Sequence, residues 1–552
     1  MLRCAEEGGG YTQPTLTVGG RSKVACAAMF FWSIAFWIFV ATCLIRSQFD
    51  PDEYFQTLEP SLCFSFPTCH KTWEWDNAEP LRSHVPLLPY MAVYKALSLL
   101  HISPLTAAVP RNYVALYAVS AVNGSMAFAL SSVSSSIFGL LPEASSRRSL
   151  ETLFHTSWFL LYCATRSYSN VVEALLCLLV LLCALKGRLM HCSVLSALAL
   201  SARFTSLVFT APAFLLLCGR EVFRPGGLPT FARLVTSFLF TVAVCHSIDC
   251  GLYGLPLKTR PTFVSNIIFN VLEGNASLYG THPWYWYIVA GTPAVMGTTL
   301  VPYLYSLADP SPTSPSRQLL SIRAVTAIYV GTLSLSAHKE FRFILPVVPL
   351  MMMEAALGLE RAKARKKFTL PFSAAVLVVA LNFGVVVFLG RRWQAGGVSA
   401  MLRVGELVPT RGGGPATVDV LAGCHSMPEY SHVFHAGVRI SSLDCGPHCR
   451  ANGDCESDEF RRDPGGFARK RYQGGVASGK LPSYIVVMEY DRNARHASDY
   501  ILATGMYKEH GRWWHTFEEE AVLLEKKKKE EGGKDNKGQG TTEKSRITAE
   551  EL

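Results

Sequence analysis

The segment Asp50-Pro51-Asp52-Glu53-Tyr54 puts three carboxylates within four residues. Seven carboxylates fall between Asp50 and Glu79, against three cations, Arg46, Lys71 and Arg82. One reading is a solvated loop. The segment, however, leaves a long apolar run at Ile45, so its carboxylates sit near a membrane surface, where partial desolvation raises their pKa. Adjacent Asp52 and Glu53 raise one another further, and a carboxylate poised that way can serve as a general base. The tetrad Thr72-Trp73-Glu74-Trp75 sets aromatics beside a carboxylate. It fits an interfacial aromatic belt and equally a sugar site, with rings stacked on a pyranose and carboxylates bonding hydroxyls. His338-Lys339-Glu340-Phe341-Arg342-Phe343 interrupts an apolar stretch. Such groups either snorkel to headgroups or face a cavity, where the cations can hold a lipid-linked phosphate. His282-Pro283-Trp284-Tyr285-Trp286-Tyr287, at the mouth of a span, also fits a belt.

Weaker signals complete the survey. Arg166 and Glu173, seven apart, can share a helix face. Arg203 is intramembrane and needs a partner, a phosphate being one option. Cys445 and Cys449 with His425, His435 and His448 match no standard zinc spacing, and a disulfide is the better reading in an oxidising compartment. Cys424 and Cys455 complete a group of four cysteines whose pairing the sequence leaves open.

Positioning these groups falls to membrane helices. Of 552 residues 49% are hydrophobic and only 17% charged, and the mean hydropathy is +0.22. That excludes an ordinary soluble chain of this size. The net charge of +10 comes in clusters beside apolar runs, which argues against a nucleic-acid partner. Val24–Ile45 is an uncleaved first span, long enough to cross roughly 30 Å of hydrocarbon. Further apolar runs near 112–141, 151–165, 168–185, 192–202, 204–218, 231–250, 286–306, 319–337, 343–360 and 368–389 bring the expectation to about eleven crossings. The two around Arg203 form a bent pair.

Cation placement fixes the orientation. With residues 1–23 cytoplasmic, Arg147 and Arg148, Lys186 and Arg188, Arg220 and Arg224, and the run RAKARKK at 361–367 all fall on the cytoplasmic side. The far side, which reads as the endoplasmic reticulum lumen, receives the loop 46–111, 251–285, 338–342 and everything after 390. The sequon at Asn275 is then available for glycosylation, whereas the one at Asn123 lies inside a span. In the first luminal loop, 86–101 and 104–109 are amphipathic and interfacial. Residues 24–390 form the multi-span domain. Residues 391–524 form a small luminal α/β domain, with a buried strand at 481–490 and a helix over 500–507. Residues 525–552 are a charged tail with no apolar period.

Together, DPDEYFQTLEP at 50–60, TWEW at 72–75, THPWYWY at 281–287 and HKEFRF at 338–343 resemble the signatures of endoplasmic-reticulum mannosyltransferases that use dolichyl-phosphate mannose, members of the GT-C superfamily. Cys424-His425-Ser426 with Pro428, Tyr430-Ser431 and Leu443-Asp444-Cys445 resemble the branch that adds the third mannose to glycosylphosphatidylinositol (GPI) precursors. Three departures stand out: SLCFSFPTCHK intervenes before TWEW, Arg203-Phe204-Thr205 replaces Arg-Pro-Thr, and Tyr285 replaces a histidine.

The resemblance implies a GT-C fold and transfer of mannose, with inversion, from dolichyl phosphate to the 2-hydroxyl of the second mannose of a GPI precursor. A phosphate leaving group needs no general acid, unlike the alkoxide of inverting glycosidases, but does need charge compensation. On this reading Asp52 is the base, with Glu53 as alternative or orienting partner. His338, Lys339, Glu340, Arg342 and Arg203 bind the donor; Asp50, Trp73, Glu74, Trp75, His282 and Trp284 contact sugars. No metal is required, though Asp50, Asp52 and Glu53 could hold one. The alternatives are a related enzyme acting on lipid-linked N-glycans, one adding a fourth GPI mannose, a lipid transporter or scramblase, or a structural membrane subunit.

Overall fold

The computed structural model describes residues 19–527, apart from 76–79, 101–109, 145, 309–313, 366–371, 409–415, 436, 447–448, 450–452, 454, 479–480 and 491–495. The expected interfacial segment 104–109, His448, the last two cations of RAKARKK, most of the N-terminal segment and all but three residues of the C-terminal tail lie outside the described residues.

Helix α1 (Gly19–Phe39) passes into a π-helical turn, Val40–Leu44, and ends where Ile45 turns extended. Helix α2 (Leu88–Leu99) turns Tyr90, Met91, Tyr94 and Leu97 inward. Among the described residues five helices are long and apolar enough to cross a membrane: Arg111–Phe138 (α3), Phe204–Val222, Leu228–Tyr253, Arg317–Leu335 and Ser373–Arg391. Shorter apolar helices include Ser169–Leu185 (α4) and Leu189–Ala202 (α5).

Two expected spans are interrupted. The run 151–165 breaks at Ser157, which is extended and whose hydroxyl caps the Leu160 N–H, leaving helices Arg147–Thr156 and Trp158–Cys163. The run 286–306 is divided into π, α and 3-10 turns before the helix Leu300–Ala308. Its break falls at Gly297, whose φ of +51° is one that a side chain would resist. The bent pair around Arg203 is present although Phe204 stands in place of proline: α5 stops at extended Arg203 and helix Leu207–Val222 (α6) resumes after one 3-10 turn.

The main core gathers around helix Val348–Ala364 (α7), whose residues from Val348 to Gly358 are all buried. Leu160, Leu161, Val171, Leu178, Phe209 and Tyr329 pack into the same core. After helix Phe372–Arg391 (α8) the chain forms helix Gly396–Leu407 (α9) and a five-stranded sheet. The strands are β1 (Ala416–Leu421), β2 (Val438–Ser442), β3 (Tyr484–Glu489), β4 (Tyr507–Trp514) and β5 (Glu520–Lys526), in the order β2-β1-β3-β5-β4. β1 runs parallel to β2 and β3; β5 runs antiparallel to β3 and β4. β3 is buried on both faces, as its unbroken apolar run requires.

The helix expected over 500–507 lies at Ala497–Ala503, and Tyr507 instead opens β4, because its phenol buries beneath the sheet and donates to the Pro482 carbonyl at 2.7 Å. β5 continues the ladder to Lys526, two residues beyond the expected end of this domain. The cysteines pair as Cys63–Cys69, Cys424–Cys445 and Cys449–Cys455. The Cys424–His425–Cys445 group that resembles a metal site is therefore a disulfide beside an imidazole.

Candidate active site

The acidic loop is stitched at its start. Arg46 N–H donates to the Gly390 carbonyl at 2.6 Å, Gln48 N–H to Gln394 at 3.1 Å, and the Ser47 hydroxyl to the Leu389 carbonyl at 2.6 Å. A Cβ on Gly390 would lie 2.2 Å from the Leu44 carbonyl oxygen, so only glycine allows the exit of α8 to lie against the exit of α1. Two strides on, Glu53 turns inward and accepts from Arg166 Nη1 at 2.8 and 2.9 Å, while Arg166 also donates to the Ser47 carbonyl and hydroxyl. Arg166 sits in the link between helix Trp158–Cys163 and α4, so it does not share a helix face with Glu173. Burial pushes the Glu53 carboxyl upward and Arg166 opposes the rise. At 4% exposure Glu53 is a strut of the loop, which removes it as an open base.

Asp52 points the other way. Its Oδ2 accepts from Arg342 Nη2 at 2.5 Å, and Asp50 Oδ1 lies 3.3 Å from the same nitrogen. Glu340 takes the Arg342 Nε and also bonds His338 Nε2 at 2.6 Å. The acidic loop and HKEFRF, 290 residues apart, thus form one cluster. Burial drives the Asp50 carboxyl well above its ordinary range; Arg342 opposes this, and Asp52 and Glu340 add to it. Burial also works against the Glu340 charge, but Arg342 and His338 hold its carboxyl below the usual value.

The remaining candidates divide. Lys339 is buried and donates to the carbonyls of His282, at 3.0 Å, and Ser336. It therefore ties HKEFRF to the aromatic segment and does not face open space. His282 stacks on Trp286 at 4.8 Å, and Trp286 meets Phe341 at 4.9 Å. Trp284 is exposed. Trp75, expected to contact a sugar, is 2% exposed: it packs with Leu87, Met91 and Tyr253 and its indole donates to the Phe55 carbonyl at 3.1 Å. Apolar burial has taken both its faces. Trp73 is half-buried, its ring 5.4 Å from that of Phe269. Asn275 is partly exposed on the turn Asn275–Tyr279, whereas Asn123 is buried and accepts from Tyr90 at 2.7 Å.

Arg203 finds its partner in Glu173, at 3.1 Å, and donates to the Ser169 hydroxyl at 2.9 Å. Glu74 pairs with Arg82 at 2.6 Å. Arg82 and Arg203 line one cavity, with Ser83, Thr205, Thr262 and Asn266. Phe343 of HKEFRF lies against both Arg203 and Arg342, its ring 5.8 Å from the Arg203 guanidinium and 5.4 Å from that of Arg342, so this cavity adjoins the cluster. Sequence reasoning missed Arg82 as a site residue; its signal was the lone arginine eight residues after Glu74 in an acid-rich loop.

It missed Glu59 as well. Glu59 Oε1 accepts from Glu429 N–H, Ser431 N–H and the Ser431 hydroxyl at 3.1, 3.0 and 2.7 Å. Glu429 in turn bonds His70 at 2.7 Å. Burial and the neighbouring Glu429 push the Glu59 carboxyl up to about 7. A folded-state pKa above the ordinary 4.5 means the native protein holds a proton that the unfolded chain has lost, so stability falls as pH rises from about 4.5 to 7. Burial lowers the His70 pKa but the Glu429 contact outweighs it, and the net rise adds a loss in the same direction above 6.5. The melting temperature of the purified protein should therefore drop by a few degrees across this range, and Glu59→Gln should flatten the drop. An unchanged slope in that variant would take the proton away from Glu59.

Comparisons with known proteins bear on the family and the fold. Residues 29–434 match the model of the Alg9-like mannosyltransferase family. The chain is 30% identical to "GPI alpha-1,2-mannosyltransferase 3" of Danio rerio over 81% of this chain and 80% of that protein. It is 29% identical to the Mus musculus protein of that name, over 86% and 83%, and 28% identical to the Homo sapiens one, over 86% and 81%. Among solved structures, ArnT from Cupriavidus metallidurans bound to undecaprenyl phosphate superposes with a TM-score of 0.57 at 12% identity, over 91% of this chain and 98% of that one. The apo form of that ArnT gives 0.53 at 14% identity, over the same shares. At such identities the likeness speaks for the fold alone, which this chain shares with ArnT. With three quarters of its length matched and an acid–arginine cluster in place, this chain belongs to the Alg9-like mannosyltransferase family and is a glycosyltransferase.

Proposed function

We propose that this protein transfers a mannosyl group from dolichyl-phosphate mannose, in α-1,2 linkage, to the second mannose of a GPI precursor, at the luminal face of the endoplasmic reticulum membrane. The observation that carries this reading is the 2.5 Å contact between Arg342 and Asp52, beside a cavity with two further arginines. The names of the relatives supply the linkage and the GPI acceptor. A multi-pass chain of about eleven crossings, with a luminal C-terminal domain, accounts for the clustering of the charged motifs at one end of the helices.

In this mechanism Asp52 removes the proton from the acceptor hydroxyl as that oxygen bonds the anomeric carbon. The bond from that carbon to the phosphate oxygen breaks, and dolichyl phosphate leaves with the electron pair and a second negative charge. The added charge needs cations. Arg342 is already shared among Asp50, Asp52 and Glu340, and Lys339 is spent on carbonyls. Arg82 and Arg203 are also paired, with Glu74 and Glu173, but they line the cavity, so the phosphate falls to them, with His338 at the rim of the cluster. Asp50, Trp73, His282 and Trp284 are the groups we assign to sugar contact, while Glu74, buried and paired with Arg82, orients that arginine. Arginines supply the compensation in this scheme, so a chelator leaves the rate unchanged.

Incubating the purified chain with dolichyl-phosphate mannose and a dimannosyl GPI precursor tests the assignment. A trimannosyl product supports it. Transfer only to a lipid-linked N-glycan, or to a trimannosyl GPI, replaces it with one of the sister reactions. Arg82→Gln and Arg203→Gln should each raise the donor KM about tenfold while changing the acceptor KM little, as loss of a charge-assisted bond to phosphate predicts. An unchanged donor KM in both would move the phosphate elsewhere.

A further inference from the structure

Away from the site, four aromatic rings meet where the last membrane helix ends. Phe388 lies in the final turn of α8; Trp393 follows it, Trp514 is the last residue of β4, and the turn into β5 contributes Phe517. The rings of Trp393 and Trp514 are 6.2 Å apart, Trp393 and Phe517 5.6 Å, Trp514 and Phe517 5.9 Å, and Phe388 and Trp514 6.3 Å. The cluster is fixed, since Gln394 N–H donates to the His515 carbonyl at 2.7 Å and Trp393 N–H to the Phe388 carbonyl at 2.9 Å. It is also uncovered: Phe517 is 72% exposed and Phe388 42%.

We infer that this cluster is a foot by which the C-terminal sheet domain rests in the headgroup layer of the bilayer, its partner a lipid surface. Three observations favour lipid over protein. The patch continues the exposed apolar face of α8, formed by Val376, Leu377, Leu381, Val385 and Phe388. It begins where that helix, long enough to span, gives way to Arg391 and Arg392, the depth at which a hydrocarbon core ends. Its composition, tryptophan and phenylalanine with a polar rim of Thr516, Glu518 and Glu519, is that of side chains seated at a membrane–water boundary. An isolated exposed phenylalanine needs no explanation; one packed edge-to-face on two tryptophans in a group of four at the end of a span does.

The test places the photoreactive residue p-benzoylphenylalanine at Phe517 in the full chain, reconstituted in phosphatidylcholine bilayers. Val385, on the lipid-facing side of α8, serves as positive control, and exposed Lys470, on helix Pro464–Ser478 of the same domain, as negative control. After irradiation, mass spectrometry should find phosphatidylcholine adducts at 517 at a yield near that at 385 and about tenfold above that at 470, as burial in the boundary layer requires. A crosslink to a second copy of the chain instead of lipid would overturn the inference, as would a 517 yield no higher than at 470 while 385 reacts. Retained mannosyl transfer by the labelled protein certifies its fold.

Discussion

Asp52→Asn should lower kcat by about 10²–10⁴-fold, the usual contribution of a positioned base, with little change in either KM. The amide is nearly isosteric and its oxygen can still accept from Arg342, so the cluster stays assembled and the chain still folds. What disappears is the proton acceptor beside the cavity. Rates are to be compared at equal amounts of monodisperse protein, with melting curves run alongside. Near-normal turnover in Asp52→Asn would remove Asp52 from the mechanism. Asp50→Asn gives the contrast. Burial already favours the protonated form of Asp50, so its amide should cost much less than that of Asp52.

The second large effect concerns stability. Arg166→Ala should destabilise the protein by about 3–5 kcal/mol, because it leaves Glu53 as an uncompensated buried charge. Arg166 is 1% exposed and holds Glu53 and Ser47 together, so its loss also frees the loop that presents Asp52. Expression and thermal unfolding in detergent provide the readout. The double variant Glu53→Gln with Arg166→Met should recover much of the lost stability, since it removes both charges and retains volume. A melting temperature unaffected by Arg166→Ala would show the pair to be dispensable.

Much of this was legible from residue types alone. Charges are costly amid apolar helices, so DPDE and HKEFRF announced themselves, and their contact is the expected outcome of placing an acidic and a basic motif at one membrane face. The unbroken apolar run of β3 read correctly for the same reason. What stayed hidden were choices made by long-range packing. Nothing local distinguishes Asp52 from Glu53; their roles separate only because Arg166 lies on one side of the loop and Arg342 on the other. Trp75 carries the same pattern as Trp73, yet the floor beneath it is made by Leu87, Met91 and Tyr253, elements the spacing of TWEW cannot reveal. The cationic cavity likewise joins Arg82 in a loop with Arg203 in a helix break. Span boundaries erred where serine or glycine ended a helix that hydropathy alone would continue.

The stitching of Arg46, Ser47 and Gln48 to Leu389, Gly390 and Gln394 also sets a timetable for biosynthesis. A ribosome completes the base-bearing loop early, yet its scaffold emerges more than three hundred residues later, and the grip of Ser431 on Glu59 later still. A nascent chain halted before that point holds every reactive side chain of the cluster without the frame that aligns them. Premature stop codons late in the reading frame should then be as damaging to transfer as ones near its start.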